Sequence, residues 1–223
     1  MKPTSVRYLA STLFVSGLVM AALPIAAPAQ GDWLVRGRLI HVAPSDSSGA
    51  VTGIPGSGVG VDSDSTLELD FTYMLTSNLG LELILATTRH DLNGEGTIAG
   101  LGKIGEAGVL PPTLSLQYHF APRATVRPYA GVGVNYTLFY GAESSAALDS
   151  ALGGATGIKL GDSFGLAAQA GLDVSLSKDW FMNFDLKYIQ IDTKATLATG
   201  GTTRTVNVDI NPWVFGVGVG RRF

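Results

Sequence analysis

The feature that most constrains the fold is an alternation of apolar and polar residues with a period of two, which recurs eight times. Such alternation places the two residue types on opposite faces of a β-strand. It is clearest where Trp180, Met182 and Phe184 alternate with Asn183 and Asp185. The pattern predicts eight strands near 33–39, 66–75, 79–86, 114–120, 131–138, 164–174, 180–189 and 213–220.

The composition places these strands in a membrane. The chain is 46% apolar with a mean hydropathy of +0.28, which is high for a soluble domain. Past residue 30 the sequence has no run of 18 apolar residues, so no spanning helix is predicted. Strands in hydrocarbon must close into a barrel, because open edges leave backbone groups without hydrogen bonds. The predicted fold is all-β: an eight-stranded antiparallel transmembrane β-barrel with short periplasmic turns and long extracellular loops.

The alternative is a soluble barrel with its apolar face inside, as in a lipocalin. Three features argue against it. The apolar faces are long and almost uncharged, and the opposite faces are rich in glycine, which suits a crowded interior. Aromatic residues also lie near the predicted strand ends, as an interfacial girdle requires. These aromatics are Trp33, Tyr73, Trp180, Tyr188 and Trp213.

The predicted connections alternate in length, as in outer-membrane barrels. Short turns are expected at 77–78, 121–125 and 177–178, and long loops at 45–60, 92–111, 141–160 and 194–204. Both termini then lie in the periplasm. In the loop after the fifth strand, Ser144 or Ser145 is a candidate helix cap, 146–152 is a good helix former, and Gly153 would end the helix.

The first residues resemble an export signal. Lys2 and Arg7 precede an apolar stretch over 8–26, which ends in the small-x-small pattern Ala27-Pro28-Ala29. We expect 1–29 to be a cleaved signal peptide and 30–223, about 194 residues, to be the barrel. An uncleaved membrane anchor is the alternative, which the cleavage pattern disfavours. The expected location is the cell outer membrane.

The residues predicted to face inward are charged in the lower part of the barrel and apolar toward its external end. Its charged residues fall mostly in the lower and middle barrel, where a salt-bridge network should fill the narrow lumen. Apolar inward residues toward the external end predict a pocket for a hydrophobic solute. The alternative is that they only pack under the loops, as in any small barrel. The predicted pocket residues are Ile40, Val42, Phe139, Ile189 and Ile191. The predicted charge plug consists of Arg36, Arg38, Glu68, Asp70, Glu82, Asp173, Asp185, Lys187 and Arg222.

Three segments carry a family resemblance: Arg127-Pro128-Tyr129 followed by GVGVNYT at 131–137, WFMNFDLKYI at 180–189, and the end from Asn211 to Phe223. They resemble the OmpW family of outer-membrane proteins, which includes AlkL and OprG. The resemblance implies passive uptake of small hydrophobic compounds, with lateral exit into the bilayer. The alternative is a structural or receptor barrel that acts through its loops.

The chain end resembles the signal read by the outer-membrane assembly machinery, because the terminal Phe223 follows an alternating strand. Arg221 stands where such signals usually carry an aromatic residue. The other expected partners are the lipid bilayer, lipopolysaccharide and small hydrophobic solutes. A net charge of −3 gives no basic surface for nucleic acid.

The sequence motifs that suggest other chemistry lack the context they need. Gly161-Asp162-Ser163-Phe164-Gly165 matches a nucleophile elbow, but it opens a predicted strand instead of leading into a helix. His41, His90 and His119 lie on different strands, with nothing to place them around one metal. We therefore expect no enzyme activity, no metal site and no cofactor.

Overall fold

The computed structural model describes residues 27–223, in which eight long antiparallel strands close into a barrel. Each of these strands pairs with the next around the wall, and the ring closes between the last strand and the first. The predicted fold class is therefore confirmed. The barrel strands are β1 (Trp33–Ala43), β4 (Asp64–Met74), β5 (Leu79–Ala86), β8 (Thr113–His119), β9 (Val126–Ser144), β11 (Ser163–Ser175), β12 (Trp180–Ile189) and β15 (Trp213–Arg222).

Shorter elements continue the wall beyond the barrel's upper end. They are β2 (Ser47–Ser48), β3 (Ser57–Val61), β6 (Thr88–Gly96), β7 (Lys103–Leu110), β10 (Thr156–Leu160), β13 (Asp192–Thr199) and β14 (Thr202–Asp209), with a 3-10 turn at Ala99–Leu101 and the helix α1 (Ala146–Leu152).

The alternation in the sequence corresponds to an inside and an outside of the barrel. Outward Leu67 is 74% exposed, whereas Arg36 and Asp70 on the inner face are fully buried. An apolar exterior around a charged interior is the arrangement of a barrel surrounded by lipid. Within residues 27–223, no helix is long and apolar enough to cross a bilayer.

Aromatic pairs mark the two ends of this apolar exterior. At the lower end the rings of Trp33 and Tyr73 lie 5.2 Å apart, and at the upper end those of Tyr188 and Trp213 lie 5.1 Å apart. Rings that are apolar but carry a polar handle favour the lipid–water boundary. We take the wall between these pairs as the membrane-spanning part.

The chain ends at the lower rim beside its own first strand. Phe223 N–H donates to the carbonyl of Trp33 at 2.8 Å. The guanidinium of Arg221 lies over the rings of Trp180 and Phe223, at 5.6 and 4.8 Å from their centroids. This stacking accounts for an arginine where an aromatic was expected, because the planar cation covers the same ring surface.

The expected long loops are wrong in one respect, since much of their length is strand. One sheet above the membrane has the order β3-β6-β7-β9, and the other has β10-β13-β14-β2. Strands β6 and β7 occupy most of the predicted loop at 92–111, and β10, β13 and β14 much of those at 141–160 and 194–204. These segments lie in water, so their outer faces are polar, and the apolar signal of a membrane strand is absent from them.

The predicted helix is confirmed. Helix α1 spans Ala146–Leu152, and the Ser145 hydroxyl caps it by accepting a hydrogen bond from Leu148 N–H at 3.2 Å. Gly153 ends it in the left-handed conformation at φ 82°, which glycine adopts without steric cost. Residues 1–26, and with them nearly all of the predicted signal peptide, lie outside the described residues, so that assignment stays a prediction.

Candidate functional site

Along β1 the side chains that point into the lumen change from charged to apolar. Arg36 and Arg38 point into the lower barrel, and the next inward residues, Ile40 and Val42, point into the upper barrel. The same change occurs along β12 and the two residues after it, from Asp185 and Lys187 below to Ile189 and Ile191 above. Strand pairing therefore stacks a charged layer beneath an apolar one.

Arg36 joins three strands in the charged layer. Its Nη1 lies 3.1 Å from Asp70 Oδ2, and its Nη2 lies 3.1 Å from Asp173 Oδ2. Its guanidinium also lies between the rings of Tyr129 and Phe181, at 5.5 and 5.4 Å from their centroids. All these groups are buried, so the ion pairs compensate for lost hydration.

Arg38 and Lys187 close the upper side of this layer. Arg38 Nε lies 2.6 Å from Glu68 Oε1, and its Nη2 lies 2.7 Å from Asp70 Oδ2. Lys187 Nζ lies 2.6 Å from Asp185 Oδ1 and 3.0 Å from Glu68 Oε1. The two cations thus share Glu68, and the network is continuous from β1 through β4 to β12.

Neutral side chains fill the space that the charges leave. Tyr129 donates its hydroxyl proton to Asp185 Oδ2 at 2.6 Å, and Asn183 Nδ2 donates to Asp173 Oδ1 at 2.8 Å. The amide of Gln169 donates to Glu82. With these partners the network also reaches β5, β9 and β11.

Eight of the nine predicted plug residues meet in this network, and the remaining one does not. Arg222 lies at the lower rim, where its Nη2 is 3.0 Å from Asp179 Oδ1. Arg127, which is not among the predicted plug residues, is buried with its Nη2 at 4.0 Å from Asp173 Oδ2. Strand β9 begins at Val126, five residues before the predicted strand. Extending the alternation back from Gly131 would have placed Arg127 and Tyr129 inside.

We define the charge plug as Arg36, Arg38, Glu68, Asp70, Glu82, Arg127, Asp173, Asp185 and Lys187.

Directly above the charge plug lies a small apolar cavity of about 40 Å³, which we call the lumen pocket. Four of the five predicted residues line it, namely Ile40, Val42, Ile189 and Ile191, while Glu68 and Lys187 form its charged floor. Phe139 is the exception, since it is partly buried against the same hydrophobic core but lines a different cleft. The rest of the lining is Ile84, Ala86, Thr88, His90, Val109, Pro111, Thr113, Ile210, Pro212 and Val214.

The polar groups of the lumen pocket already have hydrogen-bond or ion-pair partners within the protein. His90 Nδ1 lies 2.6 Å from the carbonyl oxygen of Asp62, and its Nε2 lies 2.8 Å from Thr88 Oγ1. His41 lies elsewhere, exposed and hydrogen-bonded to Ser65. Among the described residues, no cluster of His, Asp or Glu could hold a metal ion. The lumen pocket therefore offers shape and apolar contact.

The wall of the lumen pocket is interrupted on one side. Strands β5 and β8 pair up to Ile84 and Thr113, and pairing resumes between β6 and β7 at Thr88 and Val109. The stretch between contains Pro111 and Pro112, which have no N–H to donate. In the described structure, residues 85–87 and 110–112 form no backbone ladder with each other, although Leu85 and Ala86 pair with β4 and Leu110 pairs with β9. Ala86 and Pro111 from this gap also line the lumen pocket, so the pocket reaches the membrane wall here.

The nucleophile-elbow match has no elbow geometry. Ser163 begins β11, and its hydroxyl accepts a hydrogen bond from Asp192 N–H at 3.0 Å. A strand follows it, where the motif requires a helix. The hydroxyl therefore ties β11 to the start of β13.

Comparisons with known proteins agree with the barrel fold. The model of the OmpW family matches residues 29–223. Outer membrane protein W of Vibrio cholerae is 39% identical over 211 residues, covering 92% of this chain and 96% of that protein. The crystal structure of OprG from Pseudomonas aeruginosa superimposes with a TM-score of 0.81 at 35% identity, covering 91% of this chain and 99% of OprG. The solid-state NMR structure of AlkL in DMPC bilayers gives 0.69 at 28% identity, with coverage of 99% and 97%.

Proposed function

Because the chain belongs to the OmpW family and is a barrel of the cell outer membrane, we propose that it admits small hydrophobic molecules passively. The solute enters from outside, occupies the lumen pocket and leaves sideways into the lipid. The observation that supports this most directly is the pocket with apolar walls, which lies immediately above the buried charge plug.

The charge plug argues against a straight path to the periplasm. A solute that moved down the axis would have to separate Arg38 from Glu68 and Asp70, which all lie fully or almost fully buried. Leaving a buried charge without its partner costs about 3–5 kcal/mol. An apolar solute gains only about 25 cal/mol for each Å² of its surface removed from water and offers no polar atoms in exchange.

The gap at Pro111 and Pro112 supplies the alternative exit. Strands that are fully paired form a continuous wall, and opening one would expose backbone groups to hydrocarbon. Here the ladder already lapses beside Ala86 and Pro111, which face the lumen pocket. Outside the gap lie the exposed side chains of Leu85 and Leu114. A solute crossing here would pass from apolar side chains to lipid without breaking a backbone ladder. One side-chain hydrogen bond, from the Thr87 hydroxyl to the carbonyl of Val109 at 3.2 Å, lies at the upper edge of the gap.

The test is uptake of naphthalene by liposomes that contain the protein. The change Ile189→Asp places a carboxylate in the lumen pocket, and we expect it to abolish the gain in uptake over empty liposomes. Gln190→Asp is the matched control, because it adds the same charge one residue along on an exposed position. Uptake by the control should equal that of the unmodified protein.

Two results would contradict the proposal. If liposomes with the unmodified protein take up naphthalene no faster than empty ones, the barrel is no channel for such solutes. If Ile189→Asp leaves a real gain intact, the lumen pocket is not the route. Either result would favour the alternative, a structural or receptor barrel that acts through its extracellular parts.

A further inference from the structure

A second and larger cavity lies above the membrane, between the ends of the two upper sheets. Its volume is about 330 Å³. We call it the loop chamber and define it by its lining residues, which are Val51, Ile54, Val59, Thr97, Ile98, Gly100, Leu101, Ile104, Leu148, Ala151, Leu152 and Leu197.

The loop chamber is built by separate elements that are fixed to one another. Helix α1 covers one side with Leu148 and Leu152 and is joined to β7 by a hydrogen bond from Ser145 N–H to the carbonyl of Ile104 at 2.9 Å. On another side, Ser57 Oγ accepts from Val51 N–H at 2.9 Å. These bonds fix α1 against β7 and Val51 against the start of β3, so elements on two sides of the cavity are held in place.

The lining of the loop chamber carries no charge, and Thr97 is its one residue with a polar side chain. Thr97, Gly100 and Ala151 are exposed, whereas Val59 and Ile104 are buried. The cavity therefore opens toward the outside at its rim and is apolar at its base. A site of this kind takes an uncharged apolar molecule and offers nothing to a charged one.

The loop chamber and the lumen pocket share no lining residue. Along the chain into β13, Ile191 lines the lumen pocket and Leu197 lines the loop chamber, so roughly 20 Å of strand separates them. Ala195 lies between these two residues and lines neither cavity. Val206 and Val208 of β14 line neither cavity either. All three belong to the hydrophobic core cluster that includes lining residues of both cavities. An apolar layer of side chains thus stands between two apolar cavities.

The two cavities differ in what they can hold without rearrangement. An apolar cavity of about 150 Å³ is enough for benzene. The loop chamber, at about 330 Å³, exceeds that size, and the lumen pocket, at about 40 Å³, falls well below it. A solute fits the loop chamber as it stands and enters the lumen pocket only when the side chains around it move.

We infer that the loop chamber is an outer binding site for one small uncharged apolar molecule, occupied before the lumen pocket. This inference rests on the proposed function and adds a first binding site to the proposed route. The occupant is a small solute because the same hydrophobic core continues from the base of the chamber to the lumen pocket. The side chains between the loop chamber and the lumen pocket are apolar. If they rearrange, a solute can move from one cavity to the other without contact with water.

The inference is tested by methyl NMR of the protein in lipid nanodiscs with naphthalene as the probe. Methyl groups of Leu148 and Leu197 report on the loop chamber, and those of Ile40 and Ile189 report on the lumen pocket. As naphthalene is added, the chamber methyls should shift first and saturate at lower concentration than the pocket methyls.

A cavity-filling variant separates binding from general partitioning into lipid. Leu152→Trp should fill the loop chamber and abolish the shift at Leu148 and Leu197. Ala147→Trp adds the same side chain to an exposed position of the same helix, outside the chamber, and should leave the shift unchanged. Ile54→Trp, from another wall of the chamber, repeats the test if Leu152→Trp does not fold.

The failures of the two proposals are distinguishable. If liposomes take up naphthalene faster with the protein but only the pocket methyls shift, the loop chamber is not a binding site and the proposed function stands. A shift at Leu148 that survives in both filling variants would also overturn the inference. If chamber methyls shift as expected but uptake never exceeds that of empty liposomes, the chamber binds solute and the proposed transport fails.

Discussion

The lower and upper halves of the lumen come from the same strands but are stabilised in different ways. Below, Arg36 and Arg38 are fixed by ion pairs at 2.6 to 3.1 Å to carboxylates on other strands. Above, Ile40 and Val42 contact other apolar side chains around a small cavity. The first half depends on directional bonds between particular atoms, and the second depends on contact area.

In the proposed function, this difference lets the lower half block a solute and the upper half admit one. A charged network loses several kcal/mol when a single partner moves away, so it has one stable arrangement. Apolar contacts have no fixed direction, so the side chains around the lumen pocket can rearrange for a guest at a cost of about 1–3 kcal/mol. The proposed axial path therefore ends at the boundary between the two halves, at Arg38 and Ile40.

The largest expected effect comes from removing a charge from the lower half. Arg36→Met leaves Asp70 and Asp173 without their main partner and should lower the free energy of unfolding by about 3–5 kcal/mol. Urea unfolding of the refolded barrel in lipid vesicles measures this. Arg123→Met, at an exposed turn residue, is the control and should change stability by less than about 0.5 kcal/mol. Equal effects of the two changes would mean that the charge plug adds no stability.

Truncation in the upper half should cost less and leave transport intact. Ile189→Ala removes buried apolar contacts and should destabilise the barrel by about 2 kcal/mol, at the low end for such changes, because a cavity already exists beside it. The enlarged lumen pocket should take up naphthalene at least as fast as the unmodified one. Unfolding and uptake measured on the same vesicles check both parts, and a loss of uptake would show that the pocket is not a space the solute occupies.

Closing the wall should affect transport more than stability. The double change Pro111→Ala and Pro112→Ala supplies backbone N–H donors at the point where pairing between β5 and β8 ends. The donor at 111 faces the gap, whereas residue 112 faces β9, because its carbonyl accepts from Tyr136 N–H. We expect slower naphthalene uptake with the unfolding midpoint unchanged or raised. Pro122→Ala, in a short turn at the opposite end, is the control. Unchanged uptake in the double variant would move the lateral exit elsewhere in the wall.

The smallest effect is expected at the ion pairs outside the membrane. Hydrogen bonds from Lys103 and Arg89, at 2.7 and 2.8 Å, lower the pKa of exposed Glu106 below its ordinary value of 4.5. The pKa is lowered in the folded state, so this contribution is present above pH 4.5 and lost as the pH falls through the lowered pKa. Carbon NMR of the Glu106 carboxyl should give a midpoint below 4.5. Glu106→Gln should leave the urea midpoint near that of the Arg123→Met control, because water screens exposed pairs.

The sequence predicted the membrane-spanning part closely. The strands expected at 79–86 and 180–189 have the same bounds in β5 and β12. Lipid outside and a crowded lumen inside impose a strict alternation, which can be read from one chain without knowledge of its neighbours. Outside the membrane this constraint weakens, because a polar face in water is common to strands and loops. The strands β6, β7, β13 and β14 were for that reason expected as loops.

The sequence by itself determined the barrel, the inward face and the sign of the charges within it. Only the tertiary structure decided which inward residues share a height. It brought Ile40 and Ile191 together, left Phe139 out of the lumen pocket, moved Arg222 to the rim and brought Arg127 to the charge plug. Alternation fixes the face of a residue, whereas its height depends on the stagger of each strand against the next. That stagger is set by pairing between distant segments, such as Arg38 with Glu68 and with Gly218, and by the closure of the ring.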